Sequence, residues 1–196
     1  MTTEENFNPE QSLKLINGII HSAKNKLADD GFHLIFWGWL ILVCAMTSYV
    51  SVKLNFEAGF WVWAVLPTLG GIFSSVYGRR QAKNSKVKTY IDTYLAYLWG
   101  GFVLAMLITL VFGYAHGIKA TYFFLMLLYG IATFISGGML NFKPLIIGSL
   151  FSFALAIVSV FLGEVDQFLC ISAALLFSYI IPGHLLRSKF KSQNNV

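Results

Sequence analysis

Six apolar runs without a single charged side chain constrain this chain more than any other feature. They fall at residues 31–52, 58–78, 93–115, 120–140, 144–163 and 167–186, and all 14 basic and 9 acidic residues lie outside them. Each run is about 20 residues long, which at ~1.5 Å per helical residue reaches across a hydrocarbon layer ~30 Å thick. Composition agrees: 12% of the residues are charged and 57% are apolar, against about 25% and roughly 45–50% in an ordinary soluble domain. The expected fold is an all-α membrane protein with six transmembrane helices. The remaining pieces are a head of residues 1–30, five short connections and a basic tail at 187–196, none large enough for a soluble catalytic, nucleotide-binding or DNA-binding domain.

Charge then sets the orientation. Lys14, Lys24 and Lys26 of the head, Arg79, Arg80, Lys83, Lys86 and Lys88 of the 79–92 loop, Lys143, and Arg187, Lys189 and Lys191 of the tail all fall on one side of a six-span topology. Lys53 and Lys119 are the only basic residues on the other side, beside Glu57, Glu164 and Asp166. Basic residues in short loops mark the cytosolic face, so both termini are expected in the cytosol. Such a rim faces anionic lipid headgroups, and nucleic acid is not an expected partner because the basic residues are spread over short loops rather than set on one module. Glu4, Glu5 and Glu10 lie in the first ten residues and the first apolar run begins only at Gly31, so the head does not read as a cleavable signal peptide.

The head itself reads as an amphipathic helix over residues 9–28. Asn8 can cap it, Pro9 suits its first turn and Gln11 completes a capping box. Leu13, Ile16, Ile20 and Leu27 fall on one side at ~100° per residue, and Lys14, Asn17, His21 and Lys24 on the other. Asp29-Asp30-Gly31 then reads as a polar break before the first span. A face of this kind can lie on lipid, against the bundle or on a cytosolic protein partner.

The spans pair into three hairpins through outer connections at Lys53–Glu57, His116–Lys119 and Glu164–Asp166. First members carry Trp37-Gly38, Trp99-Gly100 and Ile147-Gly148, and second members end in a glycine followed by a basic terminus. We read this as a threefold hairpin repeat; if it closes into a ring, the first and sixth spans become neighbours. Small residues recur four apart at Gly70, Ser74, Gly78, at Gly148, Ser152, Ala156 and at Ala174, Ser178, Pro182. They are expected to pack helices within the chain, with a homo-oligomer seam as the other use. Trp37, Trp39, Tyr90, Tyr94, Tyr97 and Trp99 near the inner ends, and Trp61, Trp63, Tyr114 and Tyr122 near the outer ends, read as aromatic belts. Pro144 starts a helix, whereas Pro67 and Pro182 are candidates for kinks. Cys44 and Cys170 read as small buried apolar side chains.

Little catalytic chemistry is encoded. No span holds the Asp, Glu, Lys or Arg that serves as relay or counter-ion in coupled transporters, no H-E-x-x-H run or phosphate-binding glycine loop occurs, and no enzymatic activity, cofactor or metal is expected. Candidate contacts with lipid or a partner are Arg79, Arg80, Lys83, Lys86, Lys88, Tyr90, Tyr94 and Tyr97, together with Leu13, Ile16, Ile20 and Leu27. His33 and His184 enter and leave the bundle near one depth, and would form a pair if the end spans met.

Trp37-Gly38-Trp39, the Gly130 to Gly138 run and Tyr179-Ile180-Ile181-Pro182-Gly183 give the chain a likeness to a group of proteins. It resembles the uncharacterised small six-span inner-membrane proteins of bacteria over nearly its whole length, and in its three-hairpin plan it is similar to the HdeD-like membrane proteins. The resemblance implies a shared fold, an inner-membrane location and bacterial origin; it transfers no functional residue. Two functions are then open. One is a structural or regulatory membrane protein presenting a basic cytosolic face and an amphipathic helix to lipid or a partner. The other is a transporter or channel for a small solute, with a path lined by Thr47, Ser48, Ser74, Ser75, Thr133 and Ser136.

Overall fold

The computed structural model describes residues 9–56, 59, 61–84 and 90–194, with side chains from residue 31 onward apart from a few positions in the loops and at the C-terminal end. All regular structure among them is helical. Helix α1 runs over Pro9–Lys53, α2 over Val62–Asn84, α3 over Tyr90–His116, α4 over Ile118–Met139 and α5 over Lys143–Val160. The last span is composite: α6 (Asp166–Leu175), a π-helical turn (Leu176–Ile180) and α7 (Ile181–Asn194).

Five stretches are long and apolar enough to cross a membrane: Gly31–Lys53, Asp92–His116, Ala120–Met139, Lys143–Val160 and Asp166–Lys189. The sixth, α2, has 23 residues, but Arg79, Arg80 and Lys83 occupy its last turns, so its apolar part begins at Val62 and ends at Gly78. That apolar part is shorter than any of the other five stretches. The break expected at Asp29-Asp30-Gly31 is absent, because α1 is one uninterrupted helix from Pro9 to Lys53. Glycine in a helix interior costs only about 1 kcal/mol, and nothing in that triplet removes a backbone donor as proline would. The segment 9–28 is therefore continuous with the first span; Leu13, Ile16, Ile20 and Leu27 lie outside the described side chains.

Hairpin turns rest on residues that tolerate a left-handed backbone. Gly117, with φ 98°, alone links α3 to α4, and Asn141 (φ 48°) turns the chain between α4 and α5. Pro144 sits in the first turn of α5, as expected. Pro67 lies inside α2. The π-helical turn ends just before Pro182, which cannot donate to the carbonyl four residues back and crowds it; the wider turn relieves that conflict.

The two helices of each hairpin pack together, and α1 also packs along the whole sixth span. The first and sixth spans are thus neighbours, but the ring does not close, because α2 and α3 share no packing among the described residues. The lateral order is α2, α1, sixth span, α5, α4, α3. Lipid tails solvate an apolar helix face as well as another helix does, so nothing in their composition forces α2 and α3 together.

Small residues make the inner contacts possible. Gly148 of α5 lies against backbone of the π-helical turn, where an added Cβ would strike the Phe177 carbonyl oxygen and sit 3.0 Å from Ser178 Cα. Gly38 meets Tyr179 and Ile180, and Gly31 and Gly183 meet each other across α1 and α7. All three members of the Gly148, Ser152, Ala156 stripe are buried, as are Ala174, Ser178 and Pro182. Gly78, by contrast, has nothing near it. Hydroxyls and one amide add inter-helix bonds: Ser152 donates to the Met126 carbonyl (2.9 Å) and Gln167 Nε2 to the Ser159 carbonyl (2.9 Å). Cys44 and Cys170 are both free and buried.

Several of the rings assigned to belts are packing groups instead. Trp37 donates from Nε1 to Ser74 Oγ (3.0 Å) and Trp63 to Ser48 Oγ (2.7 Å), tying α1 to α2. Trp99 meets Tyr179 edge-on at 6.1 Å, and Tyr122 is buried beside Phe168. Trp39, Trp61, Tyr94, Tyr97 and Tyr114 remain exposed. What separates the two groups is whether a hydroxyl or ring on a neighbouring helix stands within reach, which the residue type alone does not reveal.

Candidate functional site at the basic end of the bundle

Five contacts identify the helix ends that meet. The Gly31 backbone lies against Gly183 and Arg187, and the Phe32 ring lies 5.3 Å from Tyr77. Arg187 stands 6.0 Å above Phe32 and Lys189 stands 5.6 Å above Phe142. The end of α2, the α4–α5 turn and the end of α7 therefore share one end of the bundle. Arg79, Arg80, Lys83, Lys143, Arg187 and Lys189 are gathered there, all of them exposed or half-exposed. The opposite end carries Lys53, Glu164 and Asp166 among the described side chains. Charge is thus segregated along the axis of the bundle, and on the basic side it comes from three segments far apart in sequence.

Arg187 and Lys189 each hold a charged head within cation–π distance of a ring, Phe32 and Phe142 respectively. Of the other candidate contacts, Tyr94 and Tyr97 are 61% and 78% exposed on α3, close to the basic end. Lys86 and Lys88, and the side chain of Tyr90, lie outside the described residues. The helices bearing His33 and His184 run side by side, with the His33 ring 5.4 Å from Tyr77 on α2 and His184 exposed. Among the described residues no group of three or more His, Cys, Asp or Glu is placed to hold a metal.

The hydroxyls proposed to line a path are largely engaged elsewhere. Ser48 and Ser74 accept from tryptophans, Ser75 donates to the Gly71 carbonyl (2.8 Å) and Thr133 to the Tyr129 carbonyl (2.7 Å). Ser136 Oγ, Tyr179 Oη and Gln167 Oε1 are the buried polar atoms without a hydrogen-bond partner among the described residues. Sequence reasoning missed Tyr179 and Gln167. The proline three residues after Tyr179 was the available signal for the first, and for the second nothing distinguished a buried glutamine from an interfacial one.

Neither a family model, nor a curated protein, nor a solved structure matches this chain. Function has to be read from the molecule itself.

The Tyr179 hydroxyl gives a clear stability test. A buried donor without a partner costs roughly 1–3 kcal/mol in desolvation, so Tyr179→Phe is expected to leave stability unchanged or raise it by about 1 kcal/mol. Reversible denaturation in detergent micelles measures this; a loss of stability would mean that the hydroxyl is bonded in the folded protein.

Proposed function

We propose that this chain is a non-enzymatic integral inner-membrane protein with a structural or regulatory role, whose spans hold a basic cytosolic face against anionic lipid or a protein partner. The observation that carries the reading is the gathering of Arg79, Arg80, Lys83, Lys143, Arg187 and Lys189 at one end, delivered by helices that are otherwise apolar. Each basic side chain near an anionic membrane surface contributes about 1 kcal/mol. The helical segment 9–28 extends from the first span at that same end and is the natural lever through which a bound partner would act on the bundle. The bacterial inner membrane is the location the charge pattern and the resemblance suggest, with both termini in the cytosol.

The competing reading is passage of a small solute. The placement of the candidate hydroxyls argues against a continuous hydroxyl-lined path: Ser48 and Thr133 are fully buried in packed contacts, whereas Ser75 is exposed on the outer surface of α2. Full-length protein reconstituted into vesicles separates the two. Release of entrapped protons, potassium or glycerol is expected to match protein-free vesicles; flux of any of them about tenfold above that background would support transport and displace the structural reading. Phosphatidylglycerol should raise the melting temperature of the micellar protein more than phosphatidylcholine does, and added salt should erode the difference.

A further inference from the structure

At the basic end, α1 is set between α2 and α7, and its inner turns meet α2 through rings. Phe32 and Phe36 stack at 6.2 Å, Phe36 meets Phe73 at 5.0 Å, Phe32 meets Tyr77 at 5.3 Å and Phe73 stacks on Tyr77 at 6.1 Å. Phe73 stays 45% exposed, and the other three rings are half-buried. The four rings are therefore an open shelf on the bundle surface, not part of its core. Two guanidinium groups flank the shelf from different helices. Arg187 comes from α7 and stands 6.0 Å above Phe32; Arg80 comes from α2, one turn beyond Tyr77, where side chains three apart are neighbours.

We propose that this shelf is the binding site for one anionic phospholipid, its phosphate held between Arg187 and Arg80 and one acyl chain laid along Phe32, Phe36, Phe73 and Tyr77. The inference deepens the reading of the basic face given above and rests on it. Arg187 lies 6.0 Å from the Phe32 ring centre and is exposed, and the planar fork of a guanidinium matches two phosphate oxygens at once. The rings supply shape rather than net affinity, because acyl chains are already in an apolar solvent. Preference for anionic lipid comes from charge: phosphatidylcholine carries a trimethylammonium beside its phosphate, which the two arginines repel, and phosphatidylglycerol does not.

The test uses full-length protein in a mild uncharged detergent, titrated with phosphatidylglycerol or phosphatidylcholine and read by native mass spectrometry. Wild type is expected to retain one phosphatidylglycerol in preference to phosphatidylcholine. Arg80→Gln with Arg187→Gln should weaken that binding about tenfold or more, because it removes both direct charge-assisted contacts to the phosphate and not only a share of the general attraction of the basic face. Lys143→Gln with Lys189→Gln removes the same charge from the same end and should weaken it less than threefold. Equal losses in the two double variants would overturn the site while leaving the basic-face reading standing; no preference in wild type would overturn both. Displacement of the lipid by millimolar inorganic phosphate would also overturn the proposal, since it would make the site one for free phosphate.

Discussion

Replacing Gly148 with alanine is expected to destabilise the bundle by about 3 kcal/mol, the upper end of the range for overpacking a well-filled interior. The reason lies in what the new methyl group would meet. At Gly148 the neighbour is not a side chain that can change rotamer but the main chain of the sixth span: the Phe177 carbonyl oxygen is in the way and Ser178 Cα is 3.0 Å off. Relief requires either that α5 and the sixth span move apart or that the π-helical turn rewind. Separation would strain the Ser159 carbonyl bond from Gln167 and uncover Ser152 and Ala156. Gly100→Ala provides the comparison, because nothing lies within 4 Å of that position and the substitution should change stability by less than about 1 kcal/mol. Unfolding of both variants in the same micelles measures the contrast. Similar behaviour of the two would mean that α5 and the sixth span are not in backbone contact.

The same pair of glycines shows what could be read from sequence and what could not. Gly148 belongs to a small-residue stripe whose four-residue spacing marks a helix face, and the stripe is buried. Gly100 follows Trp99 in the motif shared with Trp37-Gly38, yet it faces open space while Gly38 packs on Ile180. In water, an apolar face identifies the core. In lipid both the protein-facing and lipid-facing sides of a helix are apolar, so periodicity does not say which side meets a neighbour. That is why the apolar runs were legible, whereas the arrangement of the helices was not: the first and sixth spans are neighbours although the ring from which that adjacency was expected stays open between α2 and α3. Asp29-Asp30-Gly31 misled for a different reason: the triplet is common in turns, but nothing in it forbids a helix whose ends are fixed by Pro9 and by the membrane.

The candidate site was legible in its charges and not in its rings. Arg79, Arg80 and Lys83 stood out as a run, and the tail cations Arg187 and Lys189 as its counterpart across the topology. The Phe32, Phe36 and Phe73, Tyr77 pairs each have helical four-residue spacing, but only packing of α1 on α2 joins them into one surface. Trp37 and Trp63 were assigned to the membrane boundary because indoles favour it, and their partners Ser74 and Ser48 sit 37 and 15 residues away in sequence.

The largest qualitative effect is expected from topology, where the outcome at each position is all or none. In a six-span topology twelve basic residues would fall on one side and two on the other, a bias strong enough to orient a multi-span protein by its short loops. The weakest element is α2, whose apolar part ends at Gly78. If it failed to cross, the connection after Lys53 and the loop after Asn84 would lie on the same side of the membrane. Single cysteines at Glu57, Lys86, Gly117 and Glu164, introduced one at a time with Cys44 and Cys170 replaced by serine, resolve both questions in one measurement. Treated in intact cells with a membrane-impermeant thiol reagent, Glu57→Cys, Gly117→Cys and Glu164→Cys should be labelled, and Lys86→Cys only after permeabilisation. Labelling of Lys86→Cys in intact cells would contradict a basic face on the cytosolic side, and identical behaviour of Glu57→Cys and Lys86→Cys would contradict a membrane-spanning α2.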